Sequence, residues 1–183
     1  MTRWLWMLIV VGSASLAAWC PVEAKDRSVA KSLTRTAPVV QGNRTRTCAG
    51  TDLFGNWLLV TFDSSYRFRN PQAPYLFPHQ VFQYSPQGGI KSAHSLRPIL
   101  NRPEQVFDSV PSGMTYRVEQ GGLIVLKANG RDEAVETWAC RVVTQDHEEP
   151  GRGTSMQRGD LVMTLLGTGG QALFVRHLRK AAA

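Results

Sequence analysis

The stretch LIVLKANGRDEAVETWACRVV, residues 123–143, contains two strand-like segments on either side of a two-residue turn. Leu123 to Ala128 and Ala134 to Val143 are short and rich in β-branched and other apolar residues, as strands are. Asn129-Gly130 lies between them, and this dipeptide favours the positive φ angles that a tight type I′ turn requires. The stretch therefore predicts an antiparallel β-hairpin.

Segments of the same kind occur on both sides of this hairpin, and most of them are joined by turns that contain glycine. Helix is expected only as single turns, at Thr51 to Phe54 and at Pro103 to Asp108, because no stretch sustains a helical apolar period. The further predicted strands are 57–62, 79–84, 90–95, 114–119, 160–166 and 171–180.

These elements predict an all-β domain, an antiparallel up-and-down meander of about eight strands with few or no helices after the N-terminal segment. Closing such a meander into a barrel removes its exposed edges. A two-sheet sandwich remains an alternative, because hydrophobic periodicity does not separate the two architectures. The polar, Gly-rich segment 145–159 is expected to be a mobile surface loop.

The N-terminus has the pattern of a secretory signal peptide. An apolar run from Trp4 to Trp19 follows Arg3 and ends in small residues, with Val22 and Ala24 at the positions that a signal peptidase reads. We expect residues 1–24 to be removed and the mature protein to be periplasmic or secreted. The alternatives are a retained membrane anchor and a lipoprotein acylated at Cys20.

The 183 residues carry a formal net charge of +7, and this charge is unevenly distributed. Segment 25–47 has six cations and one anion, whereas the signal segment is neutral and residues 48–183 retain only +2. We therefore divide the mature chain into a basic flexible arm, 25–47, and a folded domain, 48–183. The small net charge of the domain argues against nucleic-acid binding. The basic arm is expected to make at most peripheral contacts with anionic components of the cell envelope.

Cys48 and Cys140 are the two cysteines that remain after signal removal. An even number of cysteines in an oxidising compartment favours one disulfide between them. The alternative is two separate buried thiols.

Motifs of common exported enzymes and metal sites are missing from the sequence. It has no Cys-x-x-Cys, His-Glu-x-x-His or Gly-x-Ser-x-Gly. His79 and His94 count to facing positions across a hairpin, but a structural pair is favoured over a shared metal site. We predict no catalytic residue, no metal, no cofactor and no enzymatic activity.

Leu53-Phe54-Gly55-Asn56-Trp57, at the start of the first long strand, resembles the Gly-x-Trp opening signature of lipocalins and lipocalin-like domains of the calycin superfamily. The C-terminal segment 173–180 resembles their closing strand, in which an arginine packs over that tryptophan. A guanidinium stacked on an indole ring is a favourable cation–π contact. The resemblance implies a lipocalin-like barrel whose fold is held by Gly55 and Trp57, with Arg176 or Arg179 as the closing arginine.

In such a barrel the interior is the default binding site, with the aromatic connection 63–78 as its lid. We therefore expect a monomeric, exported, non-enzymatic protein that carries or senses a small hydrophobic ligand. The expected ligand-binding residues are Trp57, Tyr66, Phe68, Tyr75, Phe77, Phe82, Tyr84 and Trp138.

The alternative function is a periplasmic protein-interaction module, an inhibitor or an assembly factor, that binds an envelope protein through its loops and basic arm. The two functions differ in what they require of the interior. A carrier needs a connected cavity of roughly 300 Å³ or more. An interior filled by Trp57, Trp138 and their neighbours favours the interaction module.

Overall fold

A computed structural model describes residues 44–64, 73–99, 102–149 and 153–182. The predicted signal segment and most of the predicted basic arm lie outside these residues, so both remain predictions. In the described ranges, no helix has the length and apolar character needed to cross a membrane.

The described residues form eleven strands, two short α-helices and two single 3₁₀ turns. In chain order these are β1 (Thr45–Thr47), α1 (Gly50–Leu53), β2 (Gly55–Ser64), a 3₁₀ turn (Pro74–Leu76), β3 (His79–Tyr84), β4 (Gly89–Ser95), α2 (Pro103–Asp108), β5 (Met114–Glu119), a 3₁₀ turn (Gln120–Gly122), β6 (Leu123–Ala128), β7 (Ala134–Val143), β8 (His147–Glu149), β9 (Thr154–Met156), β10 (Leu161–Leu166) and β11 (Ala172–Lys180).

Eight of these strands form a closed antiparallel barrel. They pair in the order β7-β10-β11-β2-β3-β4-β5-β6, and β6 pairs again with β7. The ten-residue β7 closes the ring because it bonds to β10 along one edge and to β6 along the other. The predicted all-β meander and its closure are confirmed, and the sandwich alternative is excluded. The barrel is compatible with a lipocalin-like one.

The local predictions are accurate where turn chemistry is strong. The hairpin of residues 123–143 forms β6 and β7 with the expected bounds, and helix occurs at both predicted single turns. α2 packs against β3 and β4 on the outside of the barrel.

Two short features were not predicted. Thr45–Thr47, the last residues of the predicted arm, form β1 and pair with residues 141–143 of β7. The segment expected to be a surface loop contains the β8–β9 hairpin. Strands of three residues have too few positions to show an alternating pattern, so the sequence carries no usable signal for them.

One end of the barrel, here named the capped end, is closed by α1 and by the disulfide between Cys48 and Cys140. The two Cα atoms are 5.5 Å apart, which confirms the predicted pairing. Gly122 packs against this link with a φ of 74°. A Cβ atom there would lie 2.4 Å from Thr47 Cγ2 and 2.9 Å from the Cys140 carbonyl oxygen, so only glycine fits.

Large side chains fill the barrel near the capped end. Trp57 is buried, and its indole Nε1 donates a hydrogen bond to the Leu53 carbonyl oxygen at 2.7 Å. The buried side chains of the barrel cluster include Leu53, Trp57, Phe82, Tyr84, Ile90, Ile124, Leu126, Trp138, Leu161, Met163, Phe174 and Leu178.

A second, smaller apolar cluster lies apart from the barrel cluster. Met156 of β9 packs there with Val143, Val162 and Val175 of the neighbouring strands β7, β10 and β11. The β8–β9 hairpin therefore belongs to the packed structure through one strand.

Candidate functional site

The barrel interior contains a cavity of about 160 Å³. It lies toward the end of β3 that begins at His79, away from the capped end, because Tyr84 at the other end of β3 pairs with Gly55 beside α1. Its walls range from buried Phe82 to exposed His94, so it reaches from the barrel centre to the surface. The lining residues are Tyr75, Gln80, Phe82, Ile90, Ser92, Ala93, His94, Met114, Leu126, Glu136 and Arg176.

Arg176 is a charged residue in the wall of this cavity and is only 4% exposed. Its guanidinium carbon lies 4.2 Å from the centroid of the Phe82 ring and 3.9 Å from that of the Trp138 ring. The two aromatic faces hold the cation between them. One guanidinium nitrogen, Nη2, donates to the Tyr84 hydroxyl at 3.3 Å, and Nε has no hydrogen-bond partner among the described residues.

Glu136 of β7 also lines the cavity and accepts hydrogen bonds from two aromatic side chains. Trp138 Nε1 donates to one carboxylate oxygen at 2.8 Å, and the Tyr75 hydroxyl donates to the other. Burial, followed by the nearby charge of Glu136, raises the pKa of Tyr75. The Tyr75 hydroxyl therefore remains a protonated donor and holds the carboxylate in place.

Gln80 of β3 fixes the chain that precedes this strand. Its side-chain amide donates to the backbone carbonyl oxygens of Tyr75 at 3.2 Å and of Phe77 at 2.7 Å. The Phe77 ring in turn packs on His94, with ring centroids 4.9 Å apart. These contacts hold the described part of the predicted aromatic lid at the mouth of the cavity.

The residues expected to bind a ligand fall into three groups. Tyr75 and Phe82 line the cavity, and Trp138 contacts Arg176 and Glu136. Phe77 lies at the cavity mouth against His94. Trp57 and Tyr84 are buried in the interior near the capped end, and the Tyr84 hydroxyl accepts a hydrogen bond from Arg176. Tyr66 and Phe68 lie outside the described residues, so their assignment stays a prediction.

The residues expected to hold the fold also differ from expectation. The cation over the Trp57 ring is Lys180, with its Nζ 5.8 Å from the ring centroid. Arg176 is stacked on Trp138 and Phe82 instead, and Arg179 binds Asp160. A lysine therefore takes the place of the expected arginine over Trp57. In the register of β11 and β2, Lys180 pairs with Trp57, whereas Arg179 pairs with Leu58 and Arg176 with Phe62.

Gly55, the first residue of the opening signature, has a φ of 116°. A Cβ atom at this position would lie 3.2 Å from Lys180 Cε. The signature glycine therefore permits both the start of β2 and the approach of the lysine that covers Trp57.

A second polar cluster is formed by Asp160 and His177, each with a side chain only 3% exposed. Asp160 accepts hydrogen bonds from His177 Nε2 at 2.6 Å, from Arg179 Nη2 at 2.8 Å and from the Gln157 backbone N–H at 2.8 Å. Burial raises the pKa of Asp160, but these donors outweigh it and lower the pKa overall. Solvent barely reaches this acid–histidine pair, and its hydrogen bonds link β11 to the turn before β10.

The two histidines that were considered as a facing pair do not face each other. β3 and β4 align His79 with Ser95 and Gln80 with His94. Since neighbouring side chains alternate between the two faces of a strand, His79 and His94 lie on opposite sides of the hairpin. Within the described ranges, no group of three or more metal-ligating side chains lies close enough to hold a metal ion.

Sequence reasoning missed Glu136 and Gln80 as cavity residues, and it expected Arg176 or Arg179 over Trp57, where the structure has Lys180. A signal for Glu136 was present, because Glu136 and Trp138 are two residues apart and therefore share a strand face. A carboxylate on the apolar face of a barrel strand marks a buried polar site.

Comparisons of this chain with protein-family models, with curated proteins and with solved structures find no match.

Proposed function

We propose that this chain is an exported, non-enzymatic binding protein that carries or senses a small, mainly apolar molecule inside a lipocalin-like barrel of the calycin type. The observation that supports this proposal is the cavity, in which apolar walls surround a few converging polar groups. The disulfide supports export, because disulfides persist in oxidising compartments.

The volume of the cavity limits the size of the ligand. At about 160 Å³ it is smaller than the roughly 300 Å³ expected for a carrier of drug-sized or lipid molecules. An apolar protein cavity of about 150 Å³ accepts benzene. We therefore propose a ligand about as large as one substituted ring.

The proposal is tested by direct binding of a neutral, ring-sized probe. Benzyl alcohol is titrated against the protein by ligand-observed NMR, and protein purified from its own host is examined by native mass spectrometry for a bound small molecule. Binding in solution, or a bound molecule of about this size, supports the proposal. The proposal is contradicted if no ring-sized probe binds and no small molecule copurifies.

A pair of matched variants places the binding site. Ser92 lines the cavity, so Ser92→Phe should fill it and weaken benzyl alcohol binding at least about tenfold. Thr115→Phe adds a phenyl ring at an exposed position of β5 and should leave binding unchanged. Equal binding by both variants would show that the probe does not occupy the barrel.

A second candidate function is a protein-interaction module that binds an envelope partner. Buried Trp57 and Trp138 occupy much of the interior, and the cavity is below the size expected of a carrier; both observations favour this candidate. Deleting residues 25–43 spares β1, which pairs with β7. If the arm binds a partner, this deletion should release the partner and leave benzyl alcohol binding intact.

A further inference from the structure

We infer that the ligand of this cavity is a small organic anion, a ring-sized apolar body that carries a carboxylate, and that Arg176 binds this carboxylate. The inference rests on the proposed function, since it names the chemical class of ligand for the same cavity. It is carried by the guanidinium of Arg176, most of whose N–H donors have no acceptor among the described residues.

A guanidinium has five N–H donors and keeps its positive charge in proteins. Arg176 is 4% exposed, so water does not solvate this charge freely. Among the described residues, its contacts with acceptors are weak: Nη2 lies 3.3 Å from the Tyr84 hydroxyl and 3.9 Å from Met163 Sδ. Nε is buried without a partner. Burying a cation in this state is unfavourable unless an acceptor completes its hydrogen bonds.

Glu136 is the carboxylate that shares the cavity wall with Arg176, but it is engaged elsewhere. Its two oxygens accept hydrogen bonds from Trp138 Nε1 and from the Tyr75 hydroxyl. None of the ion pairs seen among the described residues includes Arg176. Glu136 therefore reduces the net positive charge of the site without pairing with Arg176. The guanidinium nitrogens have no ionic acceptor among the described residues.

A carboxylate is the acceptor that best fits these donors, because its two oxygens match the geometry of the guanidinium fork. The stacking of the guanidinium between Phe82 and Trp138 leaves only its edge for such an acceptor. The remaining walls are mainly apolar and suit a ring or a branched aliphatic body. They include Phe82, Ile90, Met114 and Leu126.

The inference is tested with two probes of nearly equal shape, benzoate and benzyl alcohol. Both are titrated against the full mature chain by calorimetry and ligand-observed NMR at neutral pH. Because a charge-assisted hydrogen bond is about twice as strong as a neutral one, benzoate should bind at least about tenfold more tightly.

Three variants identify the group that causes this preference. Arg176→Met keeps an apolar side chain between the two rings and should abolish the preference for benzoate. Arg117→Met removes the same charge from an exposed position on β5 and should preserve it. Glu136→Gln removes the negative charge from the cavity wall and should tighten benzoate binding severalfold relative to benzyl alcohol binding.

The outcomes separate this inference from the proposed function. If neither probe binds and no small molecule copurifies, the proposed function fails. If both probes bind equally, the proposed function stands and the anion assignment is overturned. The assignment is also overturned if Arg176→Met retains the preference for benzoate. Should Arg176→Met not fold, as judged by near-UV circular dichroism, the Glu136→Gln result decides, and an unchanged ratio of benzoate to benzyl alcohol affinity overturns the assignment.

Discussion

Arg176 and His177 are neighbours on β11, and both are buried, but their surroundings differ. Arg176 lines the barrel cavity, and its Nε has no hydrogen-bond partner among the described residues. His177 Nδ1 likewise has none there, but its Nε2 donates to Asp160, whose carboxylate also binds Arg179 and the Gln157 backbone N–H. The cluster around Asp160 thus neutralises its own buried charge, whereas the charge of Arg176 has no ionic partner among the described residues. The first arrangement stabilises the fold, and the second is suited to a ligand.

The disulfide links the segment before α1 to β7, and it should stabilise the barrel that holds both polar groups. Replacing Cys48 and Cys140 by serine opens a loop whose ends are 92 residues apart, and the lost loop-closure entropy corresponds to about 4 kcal/mol of unfolding free energy. Urea unfolding of the double variant measures this loss. Wild-type protein treated with a reductant should behave alike, and a loss below about 1 kcal/mol in both would contradict the expectation.

Disrupting the Asp160 cluster should lower the unfolding free energy more than replacing Arg176. Asp160→Ala leaves His177, Arg179 and the Gln157 N–H without their shared acceptor, so we expect the unfolding free energy to fall by about 3 kcal/mol. Asp132→Ala changes an exposed carboxylate and should alter it by less than about 0.5 kcal/mol. Similar losses in both variants would show that the cluster has no special role in stability.

Acid should weaken the Asp160 cluster through His177. Burial lowers the pKa of His177 below its usual 6.5, and this effect exceeds the opposing influence of Asp160. The unfolded chain then binds a proton at His177 before the folded protein does. The contribution of His177 to the unfolding free energy should therefore be constant above about pH 6.5. Below this pH the unfolding free energy should fall, with a slope of up to about 1.4 kcal/mol per pH unit.

Two substitutions isolate this titration in urea unfolding at several pH values. His177→Gln keeps an N–H donor for Asp160 and should flatten the slope below pH 6.5. His147→Gln, at a histidine that is not buried, should keep the wild-type slope. The pKa of Asp160 is also lowered, so its contribution is lost only at pH values below about 3.8. A slope unaffected by His177→Gln would assign the acid sensitivity to another group.

Replacing Arg176 should change the unfolding free energy much less than replacing Asp160. In the ligand-free protein, Arg176→Met loses two cation–π contacts but also removes a buried, poorly hydrogen-bonded charge. We expect the unfolding free energy to change by less than about 1 kcal/mol, as measured by urea unfolding without added ligand. A loss as large as that of Asp160→Ala would show that Arg176 is a structural residue and would remove the contrast between the two sites.

Local features were predictable from the sequence because short stretches determine them. Asn129-Gly130 and the apolar residues around it locate the β6–β7 hairpin, and the composition of 103–108 locates α2. Cys48 and Cys140 are the two cysteines of the predicted mature chain, so their pairing followed from their number and from the predicted compartment.

The candidate site was only partly predictable because it depends on strand register. A shift of one residue exchanges the two faces of a strand, and β11 contains such an irregularity between His177 and Leu178. The sequence therefore does not establish which of the consecutive residues Arg176 and His177 points into the barrel. Tyr75 and Phe82, two of the residues predicted to bind a ligand, do line the cavity, and their role in binding stays a prediction.

The sequence by itself determined the eight barrel strands, most of their turns and the pair of cysteines, because backbone propensity and turn chemistry act over a few neighbouring residues. Only the tertiary structure decided that β7 closes the ring, that Lys180 covers Trp57, and that Arg176 and Glu136 share the wall of a cavity of about 160 Å³. These features arise from pairing between distant strands, where the packing of the whole interior selects the register.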